Sequence, residues 1–266
     1  MILERLKLAS SYRAPSRKHL SPALLCLWLA FLAQPSVAGS KTIQCEGIRQ
    51  RYIFFHPKDA PDTQAKLPAV LLLHGAGDIP ENMIDAWKKF AKTNGIILLA
   101  PELPRDPKFE DSAPKIFHCV VEDARQSFPI DPARIYVFGN SMGGYLAFDA
   151  AMFESQYFAA VAVHGMKIAD DYKWIVDRAK RKTPIVIYIG DHDQFHSAES
   201  VQNTRDLLRT AGITNRLAED TDVLNDQSVI TTKAAADELP DRFIEEFAAA
   251  LARHRCWERR TDPVPA

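Results

Sequence analysis

The sequence has few of the patterns that mark cofactor, metal or nucleic-acid sites. Its four cysteines include no C-x-x-C pair, the spacing typical of zinc and redox sites. It contains neither G-x-G-x-x-G nor a phosphate-binding loop. Basic residues form no cluster that would favour nucleic acid, and the formal net charge is -1. We therefore predict no cofactor, no metal and no nucleic-acid partner.

No apolar run is long enough to cross a bilayer, which takes about 20 residues, but the first 38 residues are typical of an export signal. Five Lys or Arg against one acid precede the apolar run SPALLCLWLAFLA, and Ser36-Val37-Ala38 offers small residues to a signal peptidase. We predict cleavage near Ala38, no stable membrane insertion, and an exported domain over residues 39–266.

Export leaves three cysteines, Cys45, Cys119 and Cys256, in an oxidising compartment. One disulfide and one free thiol are therefore expected. Cys45 and Cys256 lie near the two ends of the exported domain, and we predict that they pair, with the other pairings left open.

Short apolar runs alternate with longer segments of helical period. The predicted strands are Gln50–His56, Ala69–Leu73, Ile96–Ala100, Arg134–Phe138, Phe158–Val163, Ile185–Ile189 and Thr214–Ala218. The predicted helices are Glu81–Thr93, Pro114–Phe128, Met142–Phe153, Asp170–Lys180, Ser197–Thr210 and a last one from about Asp241. Nearly continuous apolar strands imply burial on both faces. We predict an α/β fold, a single doubly wound domain with a mostly parallel sheet flanked by helices.

The segment YVFGNSMGGYLAF, residues 136–148, places a serine among glycines where a predicted strand meets a predicted helix. Within it, G-N-S-M-G matches the G-x-S-x-G pattern, whose cramped turn needs small neighbours and lifts the hydroxyl out of the sheet edge. A serine that attacks an acyl carbon also needs N–H donors for the oxyanion. We predict Ser141 as a nucleophile and the Met142 N–H as one donor.

The loop HGAG, residues 74–77, follows another predicted strand. With GNSMGG it makes the chain resemble the α/β-hydrolases, close to the secreted esterases, the polyhydroxyalkanoate depolymerases and the dienelactone hydrolases, over about residues 50–253. The resemblance implies the α/β-hydrolase fold and an acyl-enzyme on Ser141. It also implies that the Ala76 N–H is the second oxyanion donor and that His74 is structural.

The resemblance further places the catalytic acid after the strand PIVIYIG, in GDHD. It implies Asp193 as that acid. Asp191 is the alternative, although its side chain would also suit a turn cap.

The histidine base that the resemblance predicts between the last strand and the last helix is missing. Residues 219–240 read EDTDVLNDQSVITTKAAADELP, and the later His254 falls in the predicted last helix. A carboxylate in that loop would be a far weaker base than imidazole at neutral pH. His196, His192 and His164, on loops or strand ends at the same sheet edge, are the remaining candidates.

Two functions stay open from the sequence. The first is an exported serine esterase acting on a small-molecule or polymeric carboxylic ester. The second, motivated by the missing histidine, is a catalytically impaired relative that binds a ligand or a protein in the same cleft. The sequence fixes neither the acyl and alcohol specificity nor the oligomeric state.

Overall fold

The computed structural model describes residues 37–57, 66–168, 172–190, 193, 195–213 and 215–220. The strands in these residues are β1 (Val37–Cys45), β2 (Ile48–His56), β3 (Leu67–Leu73), β4 (Ile97–Pro101), β5 (Ile130–Asn140), β6 (Ala160–His164), β7 (Ile185–Gly190) and β8 (Asn215–Asp220). The helices are α1 (Pro80–Asn94), α2 (Pro107–Ser127), α3 (Met142–Phe153), α4 (Lys173–Arg178) and α5 (Ala198–Thr210).

The strands form one sheet in the order β1-β2-β4-β3-β5-β6-β7-β8. The β1–β2 and β2–β4 pairs are antiparallel, and every pair from β4 to β8 is parallel. The predicted doubly wound, mostly parallel sheet in one domain is therefore confirmed. Because β3 and β5 are neighbours in this order, the loops that leave their carboxyl ends meet at the centre of the sheet edge, where ligands bind in such folds.

Apolar side chains cover both faces of the sheet. On β3, Val70 and Leu72 pack in the cluster that contains Trp87 of α1, whereas Leu71 and Leu73 pack in the cluster that contains Phe117 of α2. This alternation follows from the two-residue period of a strand. It explains why the run VLLL reads as continuously apolar in the sequence, since both faces are buried.

Strand β1 was not predicted. It pairs along its whole length with β2, from Val37 opposite His56 to Cys45 opposite Ile48. Glu46 and Gly47 link the two strands with positive φ angles of 51° and 74°, as a two-residue type I′ hairpin requires. The predicted cleavage near Ala38 thus falls inside this strand. That prediction, like the domain boundary, stays a prediction.

Helix α2 begins at Pro107, whereas the sequence predicts a start at Pro114. Proline is favoured in the first turn of a helix, which made residue 114 look like a start. In the structure Pro114 lies inside the helix, and the preceding turns bury Phe109 and Ala113 against the core. Burial of this apolar face outweighs the local preference.

The predicted Cys45–Cys256 pairing is wrong, because Cys45 forms a disulfide with Cys119. The bond joins the end of β1 to α2 across 74 residues of chain. The hairpin turn holds Cys45 against α2, an arrangement that depends on the unpredicted strand. Cys256 lies outside the described residues.

Further contacts join β1 and β2 to α2 beside the disulfide. Lys41 Nζ lies 2.7 Å from Asp123 Oδ1, and the Tyr52 hydroxyl donates to Asp123 Oδ2 at 2.6 Å. Burial of the Tyr52 phenol, together with this hydrogen bond, raises its pKa well above the ordinary value. None of the helices in the described ranges is both long and apolar enough to cross a membrane.

Candidate active site

Ser141 lies between β5 and α3 with an unusual backbone conformation. Its φ of 50° and ψ of -117° lie in a region that L-residues other than glycine rarely adopt. Such conformations cost about 1–3 kcal/mol and occur where the surroundings impose them, often at active sites. The conformation agrees with the strained strand-to-helix turn predicted from G-N-S-M-G.

The glycines on either side of Ser141 are required by close packing. A Cβ on Gly139 would lie 2.7 Å from the Gly144 nitrogen, and a Cβ on Gly143 would lie 2.6 Å from the His74 carbonyl oxygen. Both distances are far shorter than van der Waals contact at about 3.5 Å. The turn therefore brings α3 directly against the carboxyl end of β3.

The Ser141 side chain does not cap α3, although serine at a helix N-cap usually does. Ser197 at the start of α5 gives the contrast, because its Oγ accepts a hydrogen bond from the Ser200 N–H at 3.2 Å. Ser141 is partly exposed, and its backbone N–H donates to the His164 carbonyl at 2.8 Å. The elbow thus holds the backbone firmly without using the hydroxyl as a cap.

The HGAG loop lies against the elbow. A Cβ on Gly75 would lie 3.0 Å from Asn140 Nδ2 and 3.7 Å from Ser141 Cβ, so the loop passes directly beside the serine. Ala76, the predicted oxyanion donor, is the next residue and is partly exposed. Met142, the other predicted donor, begins α3, and its N–H is one of the first four of a helix, which have no acceptor within the helix.

His74 is held by two backbone groups. Its Nδ1 lies 2.8 Å from the Gly75 carbonyl oxygen, and its Nε2 accepts a hydrogen bond from the Leu103 N–H at 3.3 Å. The proton is therefore on Nδ1, and the ring links the HGAG loop to the segment after β4. Burial lowers the pKa of His74 below the ordinary 6.5, and the hydrogen bond to Gly75 opposes this shift. These contacts agree with the structural role that the resemblance implies.

The segment after β4 is fixed in turn by Arg51. Its guanidinium binds the carboxylates of Glu81 and Glu102, each at 2.5 Å, and Gln50 Nε2 donates to the Glu102 carbonyl at 3.0 Å. Arg51 therefore connects β2 and α1 to the residue that precedes Leu103. Sequence reasoning missed this network because its members lie far apart in the chain.

Asp193 follows β7, at the sheet edge where the sequence places the acid. Its Oδ1 accepts the backbone N–H groups of Phe195 at 2.8 Å and of His196 at 2.9 Å. Its charge contributes to raising the pKa of Tyr145, although burial of the phenol is the larger cause. Tyr145 lies one helical turn after Ser141, so the carboxylate charge acts on the helix that begins at the elbow. Asp191 and His192 lie outside the described residues.

His164 ends β6 and is buried beside the elbow. Its Nδ1 lies 2.7 Å from Asn140 Oδ1, and Asn140 directly precedes Ser141. The Asn140 amide thus contacts both His164 and the HGAG loop. The sequence singled out His164 as a candidate base, but its pairing with Asn140 depends on the β5–β6 register.

His196 lies on the Asp193 loop and is partly buried. Burial lowers its pKa below 6.5, the Asp193 carboxylate raises it, Lys167 lowers it, and the Gly165 backbone raises it. Its Nδ1 is buried and has no hydrogen-bond partner among the described residues. Within the same residues, no group of three or more His, Cys, Asp or Glu side chains is arranged to hold a metal ion.

The sheet order and the glycine-flanked elbow define the α/β-hydrolase fold. Residues 104–219 match the dienelactone hydrolase family, a range that includes Ser141 and Asp193 and ends at the first residue of the loop where the base was expected. The α/β-hydrolase fold predicted from HGAG and GNSMGG is therefore confirmed, and the family match agrees with the predicted resemblance.

Solved structures agree on the fold. A thermostable esterase is 21% identical with a TM-score of 0.59, covering 81% of this chain and 62% of that chain. An S-formylglutathione hydrolase from Staphylococcus aureus is 17% identical with a TM-score of 0.61, covering 80% of this chain and 97% of that chain. These neighbours, each under 25% identical, show the fold. The match to the dienelactone hydrolase family supports a hydrolase.

The curated relatives match over short segments. A catalase HPII of Mycobacterium avium is 85% identical over 61 residues, which are 23% of this chain and 9% of the catalase. Overall, the chain spans 3% to 9% of the length of the curated relatives that it matches. These segments are too short a part of the relatives to carry over their activities.

Proposed function

We propose that the protein is an exported serine hydrolase that cleaves carboxylic esters through an acyl-enzyme on Ser141. The observation that carries the proposal is the elbow itself. Ser141 holds a strained backbone conformation, its hydroxyl is not used as a helix cap, and the HGAG loop lies beside it. A serine that only started a helix would need none of these features.

In the proposed reaction, Ser141 Oγ attacks the ester carbonyl carbon and its proton passes to a base. The carbonyl oxygen becomes an oxyanion, which the N–H groups of Ala76 and Met142 stabilise. The C–O bond to the alcohol then breaks, and the alcohol leaves with the proton. Water hydrolyses the acyl-enzyme by the same steps in reverse order, releasing the acid. Asp193 acts as the acid of the triad and stabilises the protonated base.

Export is supported by the Cys45–Cys119 disulfide, since such bonds persist in oxidising compartments. The proposal of cleavage near Ala38 predicts that the protein recovered from the periplasm or the medium begins at Gly39. Intact-mass measurement tests this. Recovery of the uncleaved chain in the cytoplasm would contradict it.

The hydrolase proposal is tested with a fluorophosphonate probe and with p-nitrophenyl acetate and butyrate. We expect rapid labelling of the purified protein and turnover of both esters, and we expect Ser141→Ala to lose both. Ser197→Ala is the matched control, because it removes another serine at a helix start and should retain full activity.

Equal background rates in wild type and Ser141→Ala would refute ester hydrolysis. That outcome would favour the second candidate, a relative that binds a ligand or a protein in the same cleft. The observation in favour of the second candidate is the absence of histidine from residues 219–240.

A further inference from the structure

A serine nucleophile needs a base within hydrogen-bond reach, and the described histidines differ in what occupies their ring nitrogens. Both nitrogens of His74 are used by backbone groups. His164 Nδ1 is bound to the Asn140 amide. His74 therefore cannot turn toward Ser141 without breaking buried hydrogen bonds, and the bond to Asn140 fixes the orientation of the His164 ring.

Two further histidines lie away from the elbow. His56 ends β2, which runs antiparallel to β4, so the ring lies at the opposite edge of the sheet, stacked on Phe128 at 5.6 Å. His118 lies on α2, stacked on Tyr157 at 4.0 Å between Glu122 and Glu154. Of the described histidines at the elbow's edge of the sheet, His196 is the one with a buried ring nitrogen that has no hydrogen-bond partner among the described residues.

The loop that follows β7 brings His196 to the elbow. Its backbone N–H donates to Asp193 Oδ1 at 2.9 Å, and the Gly165 backbone contributes to raising the pKa of its ring. Gly165 directly follows His164, whose carbonyl accepts the Ser141 N–H at 2.8 Å. The ring thus lies near the strand end to which the serine backbone is bound.

The buried Nδ1 of His196 has no hydrogen-bond partner among the described residues. An unpaired buried polar atom costs about 1–3 kcal/mol, and such atoms are uncommon in native structures unless a function requires them. A base that must accept a proton needs a ring nitrogen that is not already bound.

We infer that His196 is the general base for Ser141, an assignment that rests on the serine-hydrolase function proposed above. The ring turns about its two side-chain bonds from Gly165 toward Ser141 Oγ. One nitrogen takes the Oγ proton as the bond from Oγ to the acyl carbon forms, and it returns the proton to the departing alcohol oxygen. In the second half-reaction it takes a proton from water and returns it to Oγ. Catalytic hydrogen bonds of this kind often tighten only when substrate is bound.

The acid and the base are then on one loop, three residues apart. The hydrogen bonds from the backbone of Phe195 and His196 to Asp193 Oδ1 fix the position of the carboxylate relative to the ring. The family instead supplies the base from the loop after the last strand, which here contains no histidine.

The charges around His196 set the pH dependence. Asp193 lies on the same loop, Lys167 follows β6, and the Tyr145 phenol of α3 lies near Asp193. Burial and Lys167 hold the pKa of His196 below 6.5, so the ring is neutral at pH 7 and able to accept a proton. The activity should fall on acidification with a midpoint below pH 6.5.

The test uses the purified protein with p-nitrophenyl acetate. We expect His196→Gln to lower kcat/KM by about 10²–10⁴-fold, with the urea unfolding midpoint unchanged. His118→Gln is the matched control and should retain wild-type kcat/KM. We also expect added imidazole to restore part of the activity of His196→Gly.

The pH profile separates a base from a structural residue. Lys167→Gln should move the acid limb of kcat/KM to higher pH, because it removes a charge that disfavours protonation. His196→Gln should abolish that limb.

The inference fails if His196→Gln retains full activity while Ser141→Ala is inactive, or if His192→Gln loses the activity instead. In either case the proposed function stands. If the wild type neither hydrolyses ester nor reacts with fluorophosphonate, the proposed function fails first and the inference fails with it.

Discussion

The packing of the elbow predicts a large difference between two neighbouring glycines. In Gly143→Ala the new methyl group would lie 2.6 Å from the His74 carbonyl oxygen and even closer to the Leu73 oxygen. Normal contact is at about 3.5 Å, so β3 and α3 would have to separate by about 1 Å. Both elements are buried backbone, and neither can rotate away as a side chain could.

Overpacking of a core costs about 1–3 kcal/mol and sometimes more. We expect Gly143→Ala to lower the free energy of unfolding by about 3 kcal/mol or more, the upper end of this range. A loss of this size reduces the folding equilibrium constant by a factor of about 150. The same separation would move the HGAG loop away from Ser141, so fluorophosphonate labelling should slow in the fraction that remains folded.

Gly144→Ala is the matched control. Its methyl group would lie 3.2 Å from Met166 Cγ, the middle of a flexible side chain that can move. Alanine also gains about 1 kcal/mol over glycine inside a helix, so the stability should stay within about 1 kcal/mol of wild type. Urea unfolding of both variants checks the prediction. Equal midpoints for Gly143→Ala and Gly144→Ala would refute the packing described for the elbow.

Two further predictions concern stability. Asp149, whose Oδ1 is buried with no hydrogen-bond partner in the described ranges, has its pKa raised by burial from 3.8 to about 6, so its contribution to stability is lost as the pH rises through 6. Asp149→Asn should therefore stabilise the protein at pH 8, by at most about 3 kcal/mol, and this gain in stability should vanish near pH 4. Urea unfolding at the two pH values measures the gain. A change in stability that is the same at both pH values would contradict the burial of Asp149. Replacing Cys45 and Cys119 by alanine should cost about 2–5 kcal/mol, because the disulfide closes a 74-residue loop. Reduction of the wild type should give a similar loss, and an unchanged thermal midpoint in both experiments would count against the bond.

Local patterns predicted the part of the fold on which the elbow depends. The bounds of α3, Met142–Phe153, agree with the sequence prediction, and α5 begins one residue after the predicted start because Ser197 is its N-cap. Periodicity and capping are properties of neighbouring residues, so a single sequence reveals them. The central strands were recognised for the same reason, since burial on both faces makes them apolar throughout.

The failures concern pairs that are distant in the chain. β1 exists because it pairs with β2 through a two-residue turn, and its own sequence, VAGSKTIQC, has too few apolar residues to indicate a strand. The disulfide partner of Cys45 depended on this strand.

In the candidate site, the serine and the two loops beside it were predictable from G-N-S-M-G and HGAG. The contacts of His164 with Asn140 and of His74 with Leu103 were not. They depend on strand register and on how loops pack, which no local pattern encodes.

The backbone conformation of Ser141 also separates the two candidate functions energetically. A protein that used this cleft only for binding would be more stable with glycine at position 141, since glycine reaches a φ of 50° without steric cost. The chain instead keeps a β-carbon at that angle and so gives up stability at this position. Lower stability of this kind is common where activity requires a particular side chain. Here the side chain that the protein retains is a primary alcohol.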